Sequence, residues 1–234
     1  MQIITKRIPA WFPHDLINPF LYLSGCSLLV TGLILTPFFH IYLQVLWWWL
    51  PWNIFLAGLP LFFALCALWA SHGNKRILHL LTLPFWILWL LFYPNSPYML
   101  TNLIHLSHFE LFSHGQFIGE PALWFGAILL IAGVAAGCGF GSLSLIIIQR
   151  CIKAKHGTVW SWLIVAGTSL LSGIAIWIGR ILRFNSWDIV FRPFYLIHNV
   201  AAQFDGSAFL LCILFAIMSA GTYLLLRVFL NGVD

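Results

Sequence analysis

The sequence predicts an all-α fold, a polytopic membrane bundle of about six transmembrane helices with both termini in the cytoplasm. Three observations carry that expectation. Of 234 residues, 62% are hydrophobic and only 7% charged. The mean hydropathy is +0.96, outside the range of soluble domains. The apolar residues also fall in long unbroken runs, whereas membrane β-strands would alternate polar with apolar.

A span needs roughly 20 mostly apolar residues to cross the hydrocarbon, and its backbone polar groups must pair within the segment. On that basis helices are expected at about 19–39, 52–70, 77–94, 122–148, 159–179 and 207–230. Lys6 and Arg7 precede the first run as they would in a secretory leader. The run is too long and lacks a small-residue cleavage site, so it reads as an uncleaved anchor. Residues 1–18 then form a cytoplasmic N-terminal segment, 19–230 one membrane domain and 231–234 a short tail.

Cations orient the spans, because short cytoplasmic loops carry excess Lys and Arg. Lys6, Arg7, Lys75, Arg76, Arg150, Lys153, Lys155 and Arg227 all fall on one side of this scheme. The net charge of +5 is therefore a matter of topology and contact with membrane lipids, and no nucleic-acid partner is expected. Cys26, Cys66, Cys138 and Cys212 sit inside spans and Cys151 at a span edge, without a C-x-x-C pair, so they read as packing residues.

In the fourth span Gly133, Gly137 and Gly141 recur every four residues, and Ser169 and Gly173 repeat that step in the fifth. Such faces let helix backbones approach closely; an internal seam is expected, with a homodimer contact through the three glycines as the alternative. Trp47, Trp48, Trp49 and Trp52 suit the opposite, outer interface.

Two polar clusters interrupt the apolar chain, both on that outer side. In the first, YPNSPYMLTNLIHLSHFE at 93–110, Pro94 and Pro97 end or kink the third span near Tyr93. A short helix folded into the interface then places Tyr98, Asn102, His105 and Phe109 on one face, with Thr101 and His108 beside them. Ser96 reads as a turn residue. In the second, GRILRFNSWDIVFRP at 179–193, Arg180 and Arg183 project from one helical face, and Asn185 with Asp188 resembles a capping pair. Residues 194–204, with His198, read as an interfacial segment.

Arg180, Arg183 and Arg192 are the only cations outside the cytoplasmic set. Arginine keeps its charge when partly desolvated and grips phosphate or carboxylate with a planar fork. They could instead simply pair with Asp188, Glu110, Glu120 or Asp205.

The stretches WNIFLAGLPLFFA at 52–64, LFYPNSPYMLTNLIHL at 91–106 and GRILRFNSWDIVFRP together resemble DUF1361, a family of bacterial polytopic membrane proteins of unknown function. The resemblance spans roughly 20–230 and implies a multi-pass protein of the bacterial cytoplasmic (inner) membrane, without lending an activity. It also implies an aspartate where this chain has Asn102. That departure weakens metal-dependent hydrolysis at His105, His108 and Glu110, since an amide neither ligates nor transfers protons as a carboxylate does.

No Walker-type loop, H-E-x-x-H, G-x-S-x-G or C-x-x-C-H is present, and no cofactor is expected. Two functions remain. A pocket of Tyr98, Asn102, Arg180, Arg183, Asn185 and Trp187 binds the anionic head group of a lipid or polyprenyl carrier, with His105 and Asp188 available for acid–base chemistry. Alternatively, the same residues tie helices together in a structural or accessory subunit of a membrane assembly. A transporter ranks last, because there is no inverted repeat and no charge in mid-helix.

Overall fold

The computed structural model describes residues 13–35, 49–72, 76–184 and 188–231. A single 3-10 turn, His14–Leu16, leads into α1 (Ile17–Leu35). Then follow α2 (Trp49–Ser71), α3 (Arg76–Phe92), the one-turn α4 (Asn95–Tyr98) and a 3-10 helix (Met99–Phe109). A hairpin of β1 (Phe112–Ser113) and β2 (Gln116–Phe117) precedes α5 (Pro121–His156) and α6 (Thr158–Arg180). The chain closes with α7 (Asp188–Phe191), α8 (Pro193–Gln203) and α9 (Gly206–Asn231).

Among the described residues, five helices are long and apolar enough to cross a membrane: the first with its leading turn, α2, α5, α6 and α9. The protein is thus a multi-pass helical membrane protein. At 17 residues α3 is shorter than the roughly 20 that a full span needs. Pro60 within α2 and Pro84 within α3 are accommodated, as they can be where neighbouring helices re-satisfy the freed backbone groups.

At the centre stands α5, packed against α1, α2, α6, α9 and the 3-10 helix; α3 docks on α2, and α9 on α6. Small residues make this possible. A Cβ on Gly133 would press on Leu50 and Ile54, and one on Gly137 would lie 2.6 Å from Met99 Cγ and 3.3 Å from Ala57. A Cβ on Gly141 would overlap the Ser96 side chain, and one on Gly173 the carbonyl of Cys212 in α9. All four glycines are buried, so both stripes are seams within the chain. The dimer alternative is corrected accordingly, since no open face is left at Gly133, Gly137 and Gly141.

Hydropathy placed the end of the fourth span at 148, but α5 runs on to His156. Arg150, Lys153 and Lys155, expected in a loop, instead ride on two further helical turns. The lipid-like composition stops there while the intrahelical hydrogen bonds continue, and Lys153 and Lys155 in the last turn suit the helix dipole. Gly157 alone joins α5 to α6: its φ of +89° is accessible to glycine, and its N–H donates to Lys153 O at 3.0 Å. Lys6, Arg7, His40, Trp47, Trp48 and Lys75 lie outside the described residues.

Candidate functional site

Residues 93–109 turn back against α5 instead of leaving the bundle. Tyr93 and Pro94 form the turn after α3, as the prolines predict. Ser96 corrects its expected role, being 1% exposed rather than a loop residue. Its hydroxyl donates to Gly137 O at 2.6 Å and accepts from Gly141 N–H at 3.0 Å. In a regular α-helix those two backbone groups would pair with each other, so Ser96 inserts into the ladder of α5 and pins the segment there.

The following helix is 3-10 over 11 residues, longer than the usual three or four. Its three-residue period aligns Met99, Asn102, His105 and His108, rather than the expected Tyr98, Asn102, His105 and Phe109. Met99, Asn102 and Phe109 are buried. His105 stacks between Trp49, 4.4 Å away between ring centroids, and His108 at 5.4 Å. Burial, reinforced by the nearby charges of Arg180 and His108, holds the His105 imidazole below its ordinary value of 6.5. It is therefore neutral at neutral pH and offers no cation to an anionic ligand.

From the last turn of α6, Arg180 reaches across to this segment. Its Nε donates to Thr101 Oγ1 at 2.5 Å, its Nη2 donates to Asn102 Oδ1, and its guanidinium lies 4.1 Å from the Tyr98 ring centroid. Thr101 Oγ1 in turn donates to Tyr98 O at 2.6 Å, and Asn102, 1% exposed, directs Nδ2 at Met99 Sδ. Tyr98, Asn102 and Arg180 are thus brought together as the sequence suggested. Thr101 completes the set, and the same 91–106 motif that pointed to its neighbours contained it. The acid partner considered for Arg180 is replaced by neutral oxygens, while Asp205 caps α9 by accepting from Ala208 N–H at 2.7 Å.

Beside this clamp lies a recess of about 400 Å³ where the start of α2 meets the ends of α3 and α6. Its polar edge is Asn53, Asn95, Tyr98 and Arg183, and its walls include Leu56, Leu91, Ile176 and Phe184. Arg183 is exposed and sits at φ +60°, the left-handed region that costs a branched or long side chain about 1–2 kcal/mol. Asn53 and Asn95 were missed in the sequence: Asn53 stands alone among apolar neighbours, and Asn95 reads there as part of the proline turn of the 93–110 cluster.

Neither His105 nor Asp188 lines the recess. Asn185 and Trp187 lie outside the described residues. Glu110, exposed and left-handed at φ +44°, ends the 3-10 helix, and among the described residues no three His, Cys, Asp or Glu side chains gather to hold a metal. Arg192 is exposed and precedes α8, whose Phe194, Tyr195 and Ile197 are exposed.

Comparison with curated proteins and with solved structures returns no match. Residues 52–220, which include the clamp and the recess, match the family described as Protein of unknown function (DUF1361), and the chain belongs to that family.

Proposed function

We propose that the recess beside Arg183 binds the anionic head group of a membrane lipid or polyprenyl carrier on the outer face of a cytoplasmic (inner) membrane. The supporting observation is the division of labour between two arginines three residues apart. Arg180 is consumed in clamping the 93–109 segment, whereas Arg183 stands at the rim of a recess with apolar walls and a polar edge. An amphiphile needs that combination: hydrocarbon against Leu56, Leu91 and Ile178, charge against Arg183 and the amides of Asn53 and Asn95. A strained backbone at Arg183 fits a position kept for contact with a ligand.

In this reading α3 serves as a sixth pass, completed by the turn at Tyr93, and both termini are cytoplasmic. The start of α2 and the ends of α3 and α6 then share the outer face, in accord with the recess they build. The reading assigns binding to Tyr98 and Arg183 and positioning to Asn102 and Arg180. It assigns no acid–base step to His105 or Asp188, which do not line the recess.

Arg183→Gln is expected to lower the retention of anionic lipid, measured by native mass spectrometry after mild solubilisation, by about fivefold, the effect of one cation beside an anionic surface. Thermal stability should stay near wild type because Arg183 is exposed. Unchanged retention would defeat the proposal.

The Arg180 clamp also favours a second reading, a structural or accessory subunit whose polar network fixes the helices for a partner. That reading expects Arg180→Gln to lose a co-purifying membrane protein, with no change in bound lipid for Arg183→Gln.

A further inference from the structure

The opposite end of the bundle carries a second built arginine. Arg227 on α9 donates from Nη1 to Gln149 Oε1 and to Tyr223 Oη, both at 2.9 Å, and its guanidinium lies 4.6 Å from the Trp162 ring centroid. Tyr223 Oη also donates to Gln149 Oε1. Gln149 and Tyr223 are buried. The guanidinium plane is therefore fixed by partners on three helices, and among the described residues Nε and Nη2 make no hydrogen bond.

Arg227 faces a recess of about 130 Å³ that is also lined by Arg150 and Lys153, three apart on α5, and, among the described residues, by no carboxylate. One nitrogen of Arg150, Nη1, is engaged by Asp15 at 2.6 Å. The volume equals about four waters at their liquid share of roughly 30 Å³. A phosphoryl group fits that space, and the remainder of a larger ligand would extend beyond it.

Cations at this end suit the membrane topology and, for Lys153, the C-terminal dipole of α5, but those effects require only charge on the right side. They do not require a guanidinium locked in plane by two buried polar side chains and an indole. Orienting the fork before a ligand arrives is what bidentate phosphate recognition needs.

We propose that Arg150, Lys153 and Arg227 form a phosphoryl-binding site at the end of the bundle opposite the Arg183 recess. Its favoured occupant is the head group of an anionic phospholipid. Leu230 lines the recess, and Leu225, Val228 and Phe229 stand exposed on the same helix, giving acyl chains an apolar surface beside the head group.

The test is a titration of the protein in neutral detergent with phosphatidylglycerol, counted by native mass spectrometry, in the Arg183→Gln background so that the other recess is weakened and contributes less. Lys153→Gln and Arg227→Gln should each weaken the remaining lipid by about fivefold. Phosphatidylcholine should bind less tightly than phosphatidylglycerol. Displacement of the lipid by inorganic phosphate would identify free phosphate as an equal ligand of the site, and failure to displace would assign it to lipid. Lys153 is exposed and outside the Arg227 clamp, so its variant reports on binding in an intact fold. Unchanged affinity in the Lys153 variant, or equal affinity for the two lipids, would overturn the proposal.

Discussion

Alanine at Gly141 is expected to push the 93–109 segment off the central helix and lower the thermal midpoint by several degrees. The added methyl would occupy the space of the Ser96 side chain, with the Ser96 Cα only 3.8 Å away. Ser96 cannot rotate aside without releasing Gly137 O and Gly141 N–H, the two groups it bridges. Overpacking of this kind costs about 1–3 kcal/mol, and each kcal/mol shifts the midpoint of a chain this size by about 2–4 °C. The reason is local, so the remedy should be local too. Ser96→Gly in the Gly141→Ala background removes the overlapping atoms and lets the two backbone groups pair directly, restoring most of the loss. A Gly141→Ala protein that melts like wild type would show that Ser96 does not enter the α5 ladder.

The second large effect is expected at Arg180. Arg180→Ala strips Asn102 Oδ1 of its donor inside a site that water barely reaches, and a buried polar group without a partner costs about 1–3 kcal/mol. It also removes the cation over Tyr98, a contact worth about 0.5–2 kcal/mol. Arg180→Lys should recover only part of the loss, because an ammonium cannot address Thr101 and Asn102 at once with a planar fork. Removing both partners is the sharper check: in Arg180→Ala with Asn102→Leu no orphaned amide remains, so the double variant should be more stable than the sum of the single losses implies. Strict additivity in a thermal or denaturant unfolding series would contradict the clamp.

Much of this architecture was legible because lipid imposes simple demands. Apolar runs marked the helices, and the stripes at Gly133, Gly137, Gly141 and Gly173 marked where backbones meet. Boundaries were less legible at α5, since hydropathy registers where apolar composition ends and says nothing of a helix that continues beyond it to His156. The 3-10 helix was missed for a related reason: over 11 residues, periods of 3.0 and 3.6 accumulate only about a two-residue difference. That difference still exchanged Tyr98 and Phe109 for Met99 and His108 on the face shared with Asn102.

In the site, residue type was a better guide than position. Arginine on the side poor in cations pointed to Arg180 and Arg183, yet nothing in their spacing told the clamp from the rim. Their difference arises because α6 ends at Arg180, leaving Arg183 beyond the helix in a left-handed turn. Ser96 was invisible for the opposite reason. Serines in turns are common, and only the close approach to Gly141 converts this one into a ladder contact.

Photocrosslinking tests the central claim most directly, that the Arg183 recess holds an anionic head group. The full-length protein would be placed in membranes containing phosphatidylglycerol with a diazirine near the head group, irradiated and mapped by peptide mass spectrometry. The account predicts adducts concentrated on residues 94–98 and on Arg183 and Phe184, and their loss in Arg183→Gln. Adducts spread evenly over lipid-facing helices, or unchanged by that substitution, would contradict it.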